Sequence, residues 1–253
     1  MLELEHEFRV VDVHARLDPD AESVATVGRD VTPEALQREL HQAGIVRAIV
    51  TPGPRPAGEG YVRANNAVAR LSVDRPFLAF ARLNGPRDPG EGTAAKLRNL
   101  TSSVEYAYDD RFVGFSLDPA NDGLPTEDVL AVIDDADAPV RVAAGERFPP
   151  DTVEQTLLSY DFPVILSSFG GFPLNRSLMN DGIDLLDDYE DVYLDTAFVR
   201  YRDPLERGLL EHPDRIVFGS VSPDAHPNVG VMEVLTLDLS EDHLHRVFDK
   251  NPA

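Results

Sequence analysis

The chain has 253 residues, 42% of them hydrophobic, with 45 acidic against 23 basic side chains for a net charge of −22, and no cysteine. That length suits one (β/α)8 barrel of about 250 residues or two smaller domains, and the hydrophobic content argues against disorder. The lack of cysteine excludes disulfides and cysteine-held zinc, and so acidic a chain offers no basic face for nucleic-acid phosphates.

Short β-rich apolar runs alternate with amphipathic stretches along the whole chain. Strands are predicted at Phe8–His14, Ile45–Thr51, Phe77–Leu83 and Phe112–Leu117, then at Pro139–Ala143, Pro163–Ser168, Val192–Asp195 and Ile216–Ser220. They are rich in Val, Ile and Phe, as strands covered on both faces should be. A first helix opens with Thr32 as N-cap and Pro33 at its first position, buries Leu36, Leu40 and Ala43 at helical spacing, and closes at Gly44. Further helices are predicted over Tyr61–Leu71, Thr93–Tyr106, Thr126–Asp135, Thr152–Tyr160, Leu174–Tyr189, Asp203–Glu211, Asn228–Leu235 and Glu241–Phe248. Eight strands each followed by a helix predict an α/β chain, a (β/α)8 TIM barrel filling residues 1–253 as a single domain. An open doubly wound sheet is the alternative, and the absence of a Gly-rich phosphate loop speaks against it. The Pro/Gly-rich stretch Pro52–Gly60 follows the second strand and is expected to be a mobile loop over the barrel mouth.

Acidic residues recur in every segment, and only Lys96 and Lys250 of the basic residues are lysine. This reads as a surface adapted to high salt, which predicts a halophilic, archaeal source. At about 1 M salt the Debye length is about 3 Å, so the self-repulsion is screened. The opening MLELEHEFRVVDVH has no basic segment followed by an apolar run, so no secretory signal is expected and the chain is read as cytoplasmic. No apolar run approaches the roughly 20 residues of a membrane span.

In such a barrel the functional groups stand at the C-terminal ends of the strands. The first strand ends Asp12-Val-His14-Ala-Arg16, and strict alternation would put Asp12, His14 and Arg16 on one face. Ser116 lies at the end of strand four, Ser168 at the end of strand six and Asp195 at the end of strand seven. Asp224 and His226 follow strand eight. No Gly-x-Ser-x-Gly elbow is present.

Seven motifs, in order, resemble those of the amidohydrolase-related (amidohydrolase 2 type) TIM barrels. Val11-Asp12-Val-His14-Ala-Arg16 resembles the D-x-H-x-H strand, Phe112-Val-Gly-Phe-Ser116 the FVGxK strand, and Pro139-Val-Arg-Val-Ala143-Ala-Gly145 the PVxxHxG strand. Val164-Ile-Leu-Ser-Ser168-Phe-Gly170-Gly171 resembles VxxxHxGG, Val192-Tyr-Leu-Asp195-Thr196 resembles VYxDT, and Arg215-Ile-Val-Phe-Gly219-Ser220-Val221-Ser-Pro223 resembles RxxFGSDxP. The terminal Asp249-Lys-Asn251-Pro-Ala253 is similar to the family's last segment.

The resemblance implies zinc or another divalent metal, held by two histidines on strand one, histidines on strands five and six and an aspartate on strand eight, with a lysine on strand four in some members. Here only His14 remains of that set. Arg16, Ala143, Ser168 and Val221 occupy the other ligand positions, and Ser116 the lysine position. Catalytic zinc normally takes three protein ligands. The expectation is therefore a metal-free, cofactor-free relative that binds a small molecule and has lost metal-dependent hydrolysis. Asp12, His14, Arg16, Asp195, Asp224 and His226 are its candidate catalytic residues, and Arg16, Ser116 and Ser168 its candidate substrate contacts. The alternative is an active hydrolase or decarboxylase of a small carbonyl or carboxylate compound, its site rebuilt from His14, Asp195, Asp224 and His226. Arg16 could pair with Asp12 or Asp195, or hold a substrate carboxylate bidentately. A homo-oligomer is compatible with the sequence.

Overall fold

A computed structural model describes residues 6–18, 32–56, 59–86 and 93–252, the side chains of 93–98 excepted. Eight parallel strands run in sequence order around one sheet: β1 Val10–Arg16, β2 Ile45–Thr51, β3 Phe77–Leu83, β4 Phe112–Leu117, β5 Val140–Val142, β6 Val164–Leu166, β7 Val192–Asp195 and β8 Ile216–Val217. The end of β8 returns to β1, where Val13 N donates to Phe218 O at 2.8 Å, Val221 N to His14 O at 2.8 Å and Arg16 N to Ser222 O at 2.7 Å. The chain is a single-domain TIM barrel. No described helix is long and apolar enough to cross a membrane.

The helices are α1 Pro33–Gln42, α2 Val62–Ser72, α3 Thr93–Ala107, α4 Pro119–Asp122, α5 Glu127–Asp135, α6 Pro150–Leu157, α7 Arg176–Asp188, α8 Arg202–Glu211, α9 Pro227–Leu235 and α10 Glu241–His245. Thr32 caps α1 as predicted, its hydroxyl accepting from Ala35 N at 3.3 Å, and Gly44 takes φ +71° after the helix. The four-residue α4 is not foreseen by the apolar spacing, being too short to have any. The last predicted helix is cut at His245, and a π-turn over Arg246–Lys250 follows. There Asn251 donates from its amide to Pro213 O and Ile216 O, both at 2.7 Å, closing the base of β8.

Two layers of core result. Helix residues such as Leu36 and Leu40 pack on the outward sheet residues, while Val13, Ile49, Phe80, Ile165 and Val217 fill the barrel interior. Each such side chain contributes roughly 1.5–3 kcal/mol when fully buried. Gly114 makes room for Phe80, since a Cβ there would stand 2.6 Å from the phenyl ring.

Three strands stop earlier than predicted. After Leu166 the backbone turns left-handed at Ser168 and Phe169 (φ +56° and +55°), so the predicted strand over Pro163–Ser168 becomes a 3-10 turn at Ser167. Strand five is trimmed at both ends, and strand eight ends at Val217 because Phe218 and Val221 bond to other elements. Strand one runs two residues further than predicted, to Arg16, which pairs with Thr51.

Candidate functional site

A cavity of about 550 Å³ opens at the C-terminal ends of the strands. His14, Arg16, Ser116, Ala143, Ser168 and Val221 all line it. Those six positions, drawn from five strands and their following turns, are the ones at which the sequence resembles a family ligand set.

The pairing of β1 with β2 slips between Asp12 and Ala15. Val13 therefore faces the barrel interior while its neighbour His14, and then Arg16, face the cavity. The expected common face for Asp12, His14 and Arg16 does not hold: the irregularity resets the alternation and takes Asp12 out of the cavity lining. The wholly buried Asp12 carboxylate instead accepts from His14 N at 2.9 Å, Ser220 N at 3.0 Å and the Ser220 hydroxyl at 2.5 Å. Burial raises its pKa, against the lowering effect of these bonds. Its position ties β1 to β8.

His14 Nδ1 donates to Asp195 Oδ2 at 2.8 Å. The other Asp195 oxygen accepts from Ser168 N at 2.8 Å and Ala197 N at 3.0 Å. Burial opposes ionisation of Asp195, but the His14 interaction, the Ser168 backbone donor and Arg141 outweigh it and hold the carboxyl below the usual range. Fixing the Nδ1 proton on Asp195 leaves His14 Nε2 as the nitrogen that can exchange a proton with a cavity ligand.

Arg16 does not reach Asp12 or Asp195. Its Nε lies 3.0 Å from Asp18 and its Nη1 2.7 Å from Asp224. Asp18 in turn accepts from Gly53 N at 2.9 Å, and burial raises its pKa. The loop after β2 is thus pinned at Gly53, and Pro54 lines the cavity, as its expected place over the mouth requires. Residues 57 and 58 of that loop lie outside the described residues. Asp224 faces the cavity; His226 does not line it, and its Nδ1 accepts from Asn228 N at 3.2 Å to cap α9.

Two arginines that the sequence reading passes over dominate the cavity floor. Arg82 on β3 donates to Asp122 at 2.8 Å and Asp118 at 2.9 Å and lies over the Tyr61 ring, 5.0 Å from its centroid. The Tyr61 hydroxyl donates to Asp122 at 3.0 Å. Arg141 on β5 is 4% exposed and donates to Val13 O at 2.9 Å, Thr51 Oγ1 at 2.9 Å and Ser116 Oγ at 3.4 Å. Burial, aided by Arg82, lowers its pKa to about 10 although Asp195 and Asp12 oppose the shift, so it stays charged at neutral pH. The signal was available: an arginine between two valines in a strand covered on both sides, two residues before Ala143 and hence on the cavity face.

Among the described residues no three His, Cys, Asp or Glu side chains are placed to hold a metal ion. No family model and no curated protein matches the chain. Among solved structures the chain is similar to a TIM-barrel protein of Bordetella bronchiseptica, at 16% identity and TM-score 0.73, covering 97% of each chain. It is also similar to a dihydroxybenzoic acid decarboxylase from Polaromonas, solved with bound manganese and an inhibitor, at 14% identity and TM-score 0.64, covering 98% of this chain and 96% of that one. A third is an amidohydrolase 2 from Bifidobacterium longum, at 14% identity and TM-score 0.63, covering 97% of each. These likenesses span nearly the whole of every chain concerned, and what they establish is the shared barrel fold.

Proposed function

We propose that this chain is an amidohydrolase-like barrel that binds a small molecule at its mouth and has lost the metal-dependent hydrolysis of such barrels. One observation carries the reading. The positions that resemble a ligand set converge on one cavity, and they hold a guanidinium, two hydroxyls, a methyl and an isopropyl group around a single histidine. Alanine and valine have no lone pair, and a divalent cation beside Arg16 would meet like charge. The donors that remain are engaged: Asp195 by His14 and two backbone amides, Asp224 by Arg16. This set does not fit a resident divalent ion. The strongly acidic composition supports a small-molecule partner over nucleic acid.

Elemental analysis of protein purified from cells supplied with zinc and manganese tests the reading. Well under one equivalent of metal per chain is expected. A stoichiometric ion that survives gel filtration would overturn it.

A second reading, an active hydrolase or decarboxylase of a small carbonyl or carboxylate compound, is favoured by the His14–Asp195 pair, which can move a proton at Nε2 without a metal. Turnover surviving EDTA but lost in His14→Asn would select it over simple binding.

A further inference from the structure

We infer that Arg141 is the cation of an anion subsite on the cavity floor, which takes the carboxylate of a small molecule with an apolar body. The inference rests on the cavity being a small-molecule site, and names the ligand's chemical class.

A guanidinium carries five N–H donors. Three from Arg141 are used, on Val13 O, Thr51 Oγ1 and Ser116 Oγ, leaving two without an acceptor among the described residues. All three acceptors are neutral, and no described carboxylate lies within ion-pair distance. A buried charge normally needs an opposite charge beside it. The other cavity arginines show what satisfaction looks like here. Arg16 has Asp18 and Asp224, Arg82 has Asp118 and Asp122, and Arg147 stands exposed at the rim. Asp195 and Asp12 act on Arg141 only from a distance, and their oxygens are spent on His14, Ser168, Ala197 and Ser220.

A second observation points the same way. The hydroxyls of Ser167 and Ser222 are buried, belong to the cavity lining and have no hydrogen-bond partner. Spare hydroxyls in the lining and the spare guanidinium charge of Arg141 both complement a group that only accepts and carries negative charge. Arginine's planar fork suits a carboxylate in particular. Part of the lining is apolar, with Phe148, Phe172, Phe198 and Pro173 and the Phe172 and Phe198 rings 6.0 Å apart, while Arg16, Asp224, Glu146 and Arg147 are among its charged members. A ligand charged at one end and apolar at the other matches both regions.

The test is thermal melting and calorimetric titration of the EDTA-treated full chain at fixed high ionic strength. Sodium benzoate and acetate are the probes, with benzamide as the neutral control. Benzoate is expected to bind and raise the melting temperature, acetate to bind more weakly, and benzamide to do neither. Arg141→Met should weaken benzoate by at least about tenfold, while Arg207→Met, which removes a surface cation outside the cavity lining, leaves benzoate binding unchanged. Should Arg141→Met fail to fold, Arg141→Lys keeps the buried charge without the fork and is expected to weaken benzoate several-fold. No response of the wild type to either anion, equal binding of benzamide, or unchanged benzoate affinity in the Arg141 variants would each overturn the subsite. Metal analysis of the same preparations keeps the two readings apart. A stoichiometric ion would overturn metal loss while leaving Arg141 dependence intact, whereas benzoate bound independently of Arg141 would remove the subsite and leave the cavity a small-molecule site.

Discussion

His14 and Asp195 meet across the end of β8, Nδ1 to Oδ2 at 2.8 Å, over a glycine that has no side chain to separate them. A Cβ at Gly219 would stand 2.9 Å from His14 Cβ and 3.3 Å from Asp195 Cγ. Neither is the far end of a flexible chain, so both would have to shift. Gly219→Ala is expected to destabilise the protein by about 1–3 kcal/mol, as overpacking does, and to lengthen the His14–Asp195 contact. Denaturant unfolding in high salt gives the first quantity. The imidazole nitrogen shifts of His14 by NMR give the second, and a wild-type spectrum in the variant would show that the glycine is not needed.

Asp195 and Asp12, two of the buried aspartates, should shape acid unfolding in opposite senses. Asp195 is held below its ordinary pKa, so the stability it contributes is present above about pH 4 and lost as pH falls further. Asp12 is raised by burial, so its ionised form weakens the fold, and that penalty is relieved as pH falls through its folded-state pKa. Asp195→Asn should therefore lower stability at neutral pH and flatten the acid limb. Asp12→Asn should make the acid limb steeper. Urea titrations at several pH values between about 3 and 7 measure both slopes, and identical slopes in the two variants would contradict the assignment.

Tyr61 gives a test at the alkaline end. Burial, with Asp122 beside the hydroxyl, pushes its pKa to about 12 despite Arg82. A tyrosine raised in the folded state contributes stability that is complete below about pH 10 and is lost as pH climbs to about 12. Phenolate absorbance should show a late-ionising component to which Tyr61 contributes, beside Tyr106, whose pKa burial also raises. That component should shrink by one tyrosine in Tyr61→Phe, and an unchanged amplitude there would assign it to other residues.

The fold was legible because its signals are local and repeated. Eight apolar runs of β-rich composition, each followed by helical spacing, and Thr32-Pro33 opening a helix that Gly44 closes are patterns that need no knowledge of distant contacts. Site residues were legible where a strand keeps its period. Ser116 reaches the cavity in this way, as do His14 and Arg16 beyond the slip in β1, whereas Ser168 reaches it from the left-handed turn after β6. Asp12 does not, because the slip in β1 pairing depends on hydrogen bonds from β8, about two hundred residues away, and no local pattern carries it. The partners of Arg16 were equally hidden: Asp18 is two residues on, but Asp224 arrives from the other end of the chain. Arg141 and Arg82 differ from these. Their inward direction follows from alternation alone, although neither stands at a position of the family ligand set.

Salt should separate the buried Arg82 cluster from the surface pairs. Arg82, Asp118 and Asp122 are almost withdrawn from water, with side-chain exposures of 9%, 15% and 1%. Removing one partner of a buried pair typically costs about 3–5 kcal/mol, because it strands the other charge. Screening acts weakly at that depth. The pairs of Arg207 with Asp184 and Glu211 are more open, their carboxylates 60% and 51% exposed, and such pairs contribute about 0–1 kcal/mol. Arg82→Met should therefore destabilise the protein by a similar amount at every salt concentration at which it folds. Arg207→Met should have a small effect that fades as salt rises. The parent chain itself, at −22, should lose its circular dichroism signal at tens of millimolar salt as self-repulsion goes unscreened. An Arg82→Met penalty that vanishes in concentrated salt would mean that the cluster is solvated and does not anchor β3 to α4.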